Sequence, residues 1–191
     1  HSLSVDAADT GIPPLHALSG AADRGRFPTP HRGTPPAPRE DMDVAPAAAR
    51  LDAAESRDEV VDTLLSVCHR YFRRVIFFIV REPWVLGWSG RGEGMDRSLA
   101  SRLRIPLDPP SVFRTVTRDK SVFIGRFGPE EENQRFLEQV GKRPGTNAAF
   151  FPVAVKGRVV NLLYGDQGAA GNVKADVGEL IVLVQKVPQA Y

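Results

Sequence analysis

Cysteine is nearly absent from this 191-residue sequence, where Cys68 stands alone. One thiol excludes an internal disulfide framework and any thiolate metal cluster, and it fits a reducing, cytoplasmic setting. Long apolar runs are missing as well. The longest, "VIFFIV" and "VVNLL", are strand-sized, far short of the roughly 18 residues a membrane helix needs, so no membrane partner is expected. Strong charge of either sign is also lacking. The net charge of +2 is too mild for a nucleic-acid partner held by electrostatics. Histidine is scarce: His1, His16 and His31 fall near the N-terminus without paired ligand spacing, which leaves His69 as the one histidine further on. A Ser-His-Asp arrangement would rest on His69 alone, and no second His, Cys or carboxylate stands at ligand spacing from it. The expectation is therefore no catalytic residue, no metal site, no cofactor and no enzyme.

What is present has two textures. Residues 1–50 hold half of the sixteen prolines and many alanines, in stretches such as "GIPPLHALSG" and "FPTPHRGTPPAPRE". With few large apolar side chains, such a segment cannot bury enough surface to offset its ordering entropy, and proline keeps it extended. It reads as a linker or disordered tail, which implies upstream domains of the same chain as partners. The first residue, histidine rather than methionine, points to a chain cut from something longer.

From residue 51 onward the pattern is that of a folded domain. "SRDEVVDTLLSVCHRYFRR" places Val60, Val61, Leu64, Leu65, Cys68, Tyr71 and Phe72 on a helical stripe, with Ser56 and Glu59 at capping-box spacing. "RVIFFIV" (74–80) is apolar on both faces, the mark of a central strand. In "WVLGWSG" the two-residue period puts Trp84, Leu86 and Trp88 on one face. "RGEGMDRS" is a glycine-rich, charged loop without the lysine of a phosphate loop. "SRLRIPL" alternates Leu103, Ile105 and Leu107 with Arg102, Arg104 and Pro106, an edge-strand pattern. "DPPSVFRTVTRDK" predicts a short helix with Asp108 as cap and Pro109 opening it. "SVFIGRF" predicts a strand. "GPEEENQRFLEQVG" predicts a helix led by Pro129 and three glutamates and stopped at Gly141, the acids being expected in solvent. "NAAFFPVAV" and "RVVNLLYGD" flank a "KG" turn as a hairpin. A last helix in "DVGELIVLVQKV" carries Val177, Leu180, Ile181, Val184 and Val187, with Asp176 and Glu179 at cap spacing.

Taken together, these segments resemble a GAF domain, a sensory fold related to PAS, over roughly residues 52–191. "RVIFFIVREPWVLGW" is similar to the family's first hairpin and "RIPLDPPSVFRTVTRDKSVFIGRF" to its strand–helix–strand unit. "AAFFPVAVKGRVVNLLYGD" is similar to its second hairpin, with Asn161 where many members have glycine. The resemblance implies an α+β fold: a central antiparallel sheet of about six strands, the first and last helices on one face, short helices and loops on the other. It implies a non-catalytic regulatory or sensory domain of a larger bacterial signalling protein, binding a small ligand between the sheet and the short helix. The alternative is a ligand-free module acting in homodimerisation, through the first and last helices, or in protein docking. The N-K-x-F-D-E signature of cyclic-nucleotide binders is missing. Cys68 lies on a packing stripe rather than at a bilin attachment point, and redox-active relatives use more than one cysteine.

The ligand-pocket candidates are Trp88, Arg104, Phe113, Arg114, Phe127, Asn161 and Tyr164. Arg102 and Arg104, with Arg114, Arg118 and Arg126, form either a basic patch for a small anion or the wet face of an edge strand. Trp84 and Trp88 suit core or interface packing as well as ligand stacking. In "GRVVNLLYGDQG" the strand period puts Val159, Asn161 and Leu163 on one face, and Val160, Leu162 and Tyr164 on the other. Asn161 and Asp166 then lie on opposite faces, and 165–168 is the turn leaving the sheet. A buried Asn161 amide needs a partner.

Overall fold

In a computed structural model, which describes residues 42–145, 147–169, 171–173 and 177–187, the doubly apolar run at 74–80 becomes strand β1 (Arg74–Arg81), in the middle of a six-stranded antiparallel sheet. Residues 1–41 of the linker expected over 1–50, and the cap role of Asp176, lie outside the described residues. β1 pairs on one side with β2 (Trp84–Gly92) and on the other with β6 (Arg158–Asp166). β6 pairs with β5 (Asn147–Val155), and the edges are β3 (Arg104–Pro106) and β4 (Phe123–Arg126), giving the order β3-β2-β1-β6-β5-β4. The β5–β6 hairpin closes at Lys156 and Gly157, with φ of 50° and 77°. Two successive positive φ values suit the right-handed strand twist, and glycine takes one of them without strain.

Helix α2 (Arg57–Tyr71) is the stripe read from sequence, and the Ser56 side chain accepts the Glu59 N–H at 3.3 Å. It packs on one face of the sheet with α6 (Gly178–Lys186), burying Val60, Leu64, Cys68, Leu180 and Val184 against Val75, Phe77, Phe151 and Leu163. The other face carries α4 (Val112–Asp119) and α5 (Glu131–Gln139), with Phe113, Phe136 and Leu137 against Ile76, Phe78, Phe150, Leu162 and Tyr164. The arrangement of first and last helices on one face, and short helices on the other, is as the sequence predicts.

Several local expectations change. Residues from Val44 on, grouped with the linker by composition, form helix α1 (Val44–Asp52), whose Ala47 and Leu51 are buried in the same cluster as α2 and α6. Pro46 is tolerated because it lies in the first turn, where backbone N–H groups have no intrahelical partner, and the alanines favour helix. The loop expected at "RGEGMDRS" ends in a four-residue helix, α3 (Arg97–Ala100), capped by Asp96. It packs so closely on β2 that a Cβ on Gly87 would fall 1.9 Å from the Ala100 carbonyl oxygen. For α4 the cap is Ser111, not Asp108: its Oγ accepts the Arg114 N–H at 3.2 Å. Pro110 disfavours helical geometry at Pro109, so the helix starts beyond both prolines.

Two register shifts re-aim side chains. Phe77 pairs with Ser89 and Phe78 with Gly87, leaving Trp88 as an extra residue in β2. Val153 pairs with Asn161 and Ala154 with Val159, leaving Val160 extra in β6. Bulges of this kind break the strict two-residue alternation. As a result Val159 joins the α4–α5 side and Val160 the α2–α6 side, the reverse of the sequence expectation.

Candidate functional site

The volume between the sheet and the α4–α5 layer is occupied by aromatic rings. Phe113 lies edge-on to Phe136 at 4.9 Å, to Phe150 at 5.0 Å and to Phe78 at 5.6 Å. Tyr164 lies 5.1 Å from Phe150 and 5.3 Å from Phe136, and Phe127 reaches both Phe136 and Phe150. Edge-to-face contacts at such distances add about 0.5–1.5 kcal/mol each beyond burial. Phe113 and Tyr164 are fully buried, so at these positions the interior pocket expected from the resemblance is packed with side chains.

The seven pocket candidates are not gathered at one place. Phe113, Phe127 and Tyr164 belong to the packed aromatic layer. Arg104 is exposed on edge strand β3. Trp88 packs on the opposite, α2–α6 side, with the Arg97 guanidinium 5.6 Å from its ring centre. Asn161 is buried and its Nδ2 donates to the Phe78 carbonyl at 3.2 Å, so its amide has a protein partner. The side-chain period of β6, regular from Asn161 to Asp166, keeps those two residues on opposite faces.

Of the seven, Arg114 alone lines an open cleft of about 400 Å³ outside the aromatic layer. The cleft runs between α4, β4 and the start of α5, and Arg118, Arg126, Ser111, Thr115, Phe123 and Glu130 line it as well. Arg114 and Arg118 are four residues apart and so share a helix face, while Arg126 comes from β4. Asn133 holds the two helices in place. Its Oδ1 accepts the Val112 N–H at 2.9 Å, and its Nδ2 donates to Glu130 Oε2 at 2.6 Å. Arg114 donates to the Asp108 carbonyl at 2.7 Å. Arg118 pairs with Asp119 through Nε at 2.7 Å and Nη2 at 3.3 Å, which raises the guanidinium's pKa and lowers the carboxyl's. The Arg126 side chain has no hydrogen-bond or ion-pair partner among the described residues. Arg102 and Arg104, grouped with these arginines in the sequence, are not among the lining residues.

Sequence reasoning missed a second polar constellation, at the ends of β1 and β6. Arg74 and Asp166 are both buried; Nε and Nη2 of Arg74 donate to Asp166 Oδ2 at 3.0 and 2.8 Å. Tyr164 Oη donates to the same oxygen, the Gly168 N–H donates to Oδ1 at 2.6 Å, and Arg74 Nη1 donates to the Val140 carbonyl. The Lys142 ammonium lies 4.0 Å from Oδ1 and donates to the Gly168 and Gly171 carbonyls at 3.2 and 3.3 Å. Burial lowers the Lys142 pKa, and burial beside Asp166 pushes the Tyr164 phenol well up. The cluster ties the loops after α5 and β6 to the sheet. The "GD" of 165–166 was the available signal, but its arginine partner lies 92 residues away. Glu132, expected in solvent, is buried and bonded by Arg135 at 2.5 Å.

At the level of sequence, no family model and no curated protein matches this chain. Solved structures do match. Residues 122 to 287 of a methyl-accepting chemotaxis protein align with a TM-score of 0.60 at 14% identity, over 76% of this chain and 93% of that one. The GAF domain of a phosphoenolpyruvate-protein phosphotransferase from Coxiella burnetii aligns with 0.58 at 12% identity, over 77% and 89%. A free methionine-R-sulfoxide reductase from Neisseria meningitidis, in complex with its substrate, aligns with 0.56 at 14% identity, over 77% and 86%. The fold of this chain is GAF-like.

Proposed function

We propose that this chain is a regulatory domain of a larger bacterial signalling protein, and that it senses a small ligand at the arginine-lined cleft rather than inside the aromatic layer. The observation that carries this reading is the convergence of Arg114, Arg118 and Arg126 on one cleft of about 400 Å³, within the size range of small-molecule sites. A signalling role draws support from the chemotaxis and phosphotransferase proteins whose domains share the fold. The domain is non-catalytic in this reading: the lone thiol, Cys68, is fully buried on α2, and burial raises its pKa, the opposite of an activated nucleophile. No helix among the described residues is long and apolar enough to cross a membrane, which accords with a cytoplasmic placement. The Pro/Ala-rich segment would join the domain to its upstream partners.

The test is a thermal-shift screen of small metabolites on the wild type and on Arg126→Ala. Ligands that raise the melting temperature of the wild type alone support the cleft; ligands that stabilise both proteins equally count against it. A second reading, a ligand-free module that dimerises through its first and last helices, is favoured by the packed aromatic layer and by Val182, 58% exposed on α6. Light scattering that finds a monomer at all concentrations would exclude this dimer.

A further inference from the structure

We infer that the cleft takes a small phosphate monoester, with its phosphate held by Arg114, Arg118 and Arg126 and its organic body lying toward Phe123 and Glu130. This deepens the reading of the cleft as a ligand site and rests on it.

The number and type of donors select the ligand class. Three guanidinium groups line one cleft, each a planar fork suited to two parallel bonds with an oxyanion. A carboxylate offers two oxygens, too few to engage three forks together. A phosphate monoester offers three terminal oxygens and close to two negative charges, matching three forks approaching from two sides. The Ser111 and Thr115 hydroxyls in the lining add neutral donors.

The present bonds of the three arginines are inexpensive to exchange. Arg126 has no side-chain partner among the described residues. Arg118 is paired with its sequence neighbour Asp119 at the exposed surface, where ion pairs stabilise little. Arg114 holds a single exposed backbone carbonyl. A dianion arriving in the cleft therefore gains three charge-assisted partners without breaking a buried network.

The cleft also narrows the choice through its other side chains. The Glu130 carboxylate lines it, held by the Asn133 amide. A carboxylate there disfavours a ligand charged along its whole length, such as a nucleic-acid strand, and accepts a hydrogen bond from a neutral hydroxyl. Phe123, half-buried on β4, adds a carbon surface to the lining. The fitting ligand is anionic at one end and hydroxylated at the other.

The experiment is calorimetric titration of the full chain with glycerol 3-phosphate, glucose 6-phosphate and inorganic phosphate, alongside glycerol, acetate and sulfate. The two esters should bind more tightly than phosphate or sulfate, and glycerol and acetate should give no heat of binding. Arg126→Ala and Arg118→Ala, both at exposed positions, should each weaken the ester roughly tenfold or more, the loss of a charge-assisted bond, at unchanged melting temperature. Arg126→Lys should lose less than Arg126→Ala. Ester binding that ignores both the Arg118→Ala and the Arg126→Ala substitutions overturns the inference, as does sulfate binding as tightly as the esters. If the esters fail while another ligand binds in an Arg126-dependent way, the phosphate class is wrong and the cleft reading stands. If nothing in the titration or the wider thermal-shift screen binds, both fall together.

Discussion

Arg74 and Asp166 meet across the paired strands β1 and β6, with Nε and Nη2 of the arginine both within 3.0 Å of one carboxylate oxygen and both residues buried. They stand at directly opposed positions of the ladder, so strand register and charge pairing reinforce each other. Removing one member strands the other as a buried charge, a change that costs about 3–5 kcal/mol. Arg74→Ala and Asp166→Ala should therefore lower the urea midpoint steeply. The double variant should fall short of the sum of the two, because the partner charge is gone as well.

Alkaline pH should expose the same cluster. The Tyr164 phenol is pushed well above its ordinary 10.0. Above that value the unfolded chain releases a proton that the folded chain keeps, and stability falls as pH rises. Cys68, raised from 9.0 by burial, has the same sign from a lower starting point. Lys142, lowered from 10.5 by burial, has the opposite sign: below 10.5 the unfolded chain holds a proton the folded chain has begun to lose, so its contribution rises with pH. Urea midpoints across this range should show a net alkaline loss, with a shallower slope in Tyr164→Phe and in Cys68→Ala.

Phe113 lies among Phe78, Phe136 and Phe150 with no exposed surface. Phe113→Ala should cost about 3–5 kcal/mol, since deleting a buried ring leaves a cavity that its neighbours fill only in part. Chemical denaturation measures the loss directly. Binding of a small aromatic probe to the variant alone would identify the new space.

The cleft should behave in the opposite way. Arg118→Ala and Arg126→Ala remove solvent-exposed side chains, one of them paired only with a neighbouring exposed acid. Each should leave stability essentially unchanged. Equal denaturation midpoints for wild type and variants would establish that effects on ligand binding are local.

Much of this architecture is legible in the sequence wherever one element carries its own signal. "RVIFFIV" announces a central strand because both of its faces are apolar, and "KG" announces the hairpin because only certain residues take two positive φ values. Ser56 marks the start of α2 through a bond formed within three residues. What escapes is either too short or too distant. α3 spans four residues, about one helical turn, so it has no period to detect. α1 is built from alanines and a proline, whose composition matches a spacer until a partner surface buries Ala47 and Leu51. The bulge at Val160 exchanges the faces of Val159 and Val160 without any residue that demands it. In the candidate site, Arg114, Arg118 and Arg126 stand out as a group. Their separation from Arg104, and the ring packing that closes the interior, depend on contacts between strands far apart in sequence.

The sorting of aromatic residues onto two sides of the sheet gives the protein a built-in optical asymmetry. Of the two tryptophans, Trp88 packs on the side of the sheet opposite Phe78, Phe113, Phe136 and Phe150, and Trp84 is exposed at the start of β2. Tryptophan emission thus reports on the side occupied by α2, and loosening of α4 and α5 would leave it largely silent. Near-ultraviolet absorption of Tyr164, or ring-current shifts on the Val116 and Ala148 methyl groups in the phenylalanine layer, would register that event. A melting curve followed by fluorescence and one followed by these signals therefore observe different halves of the same molecule.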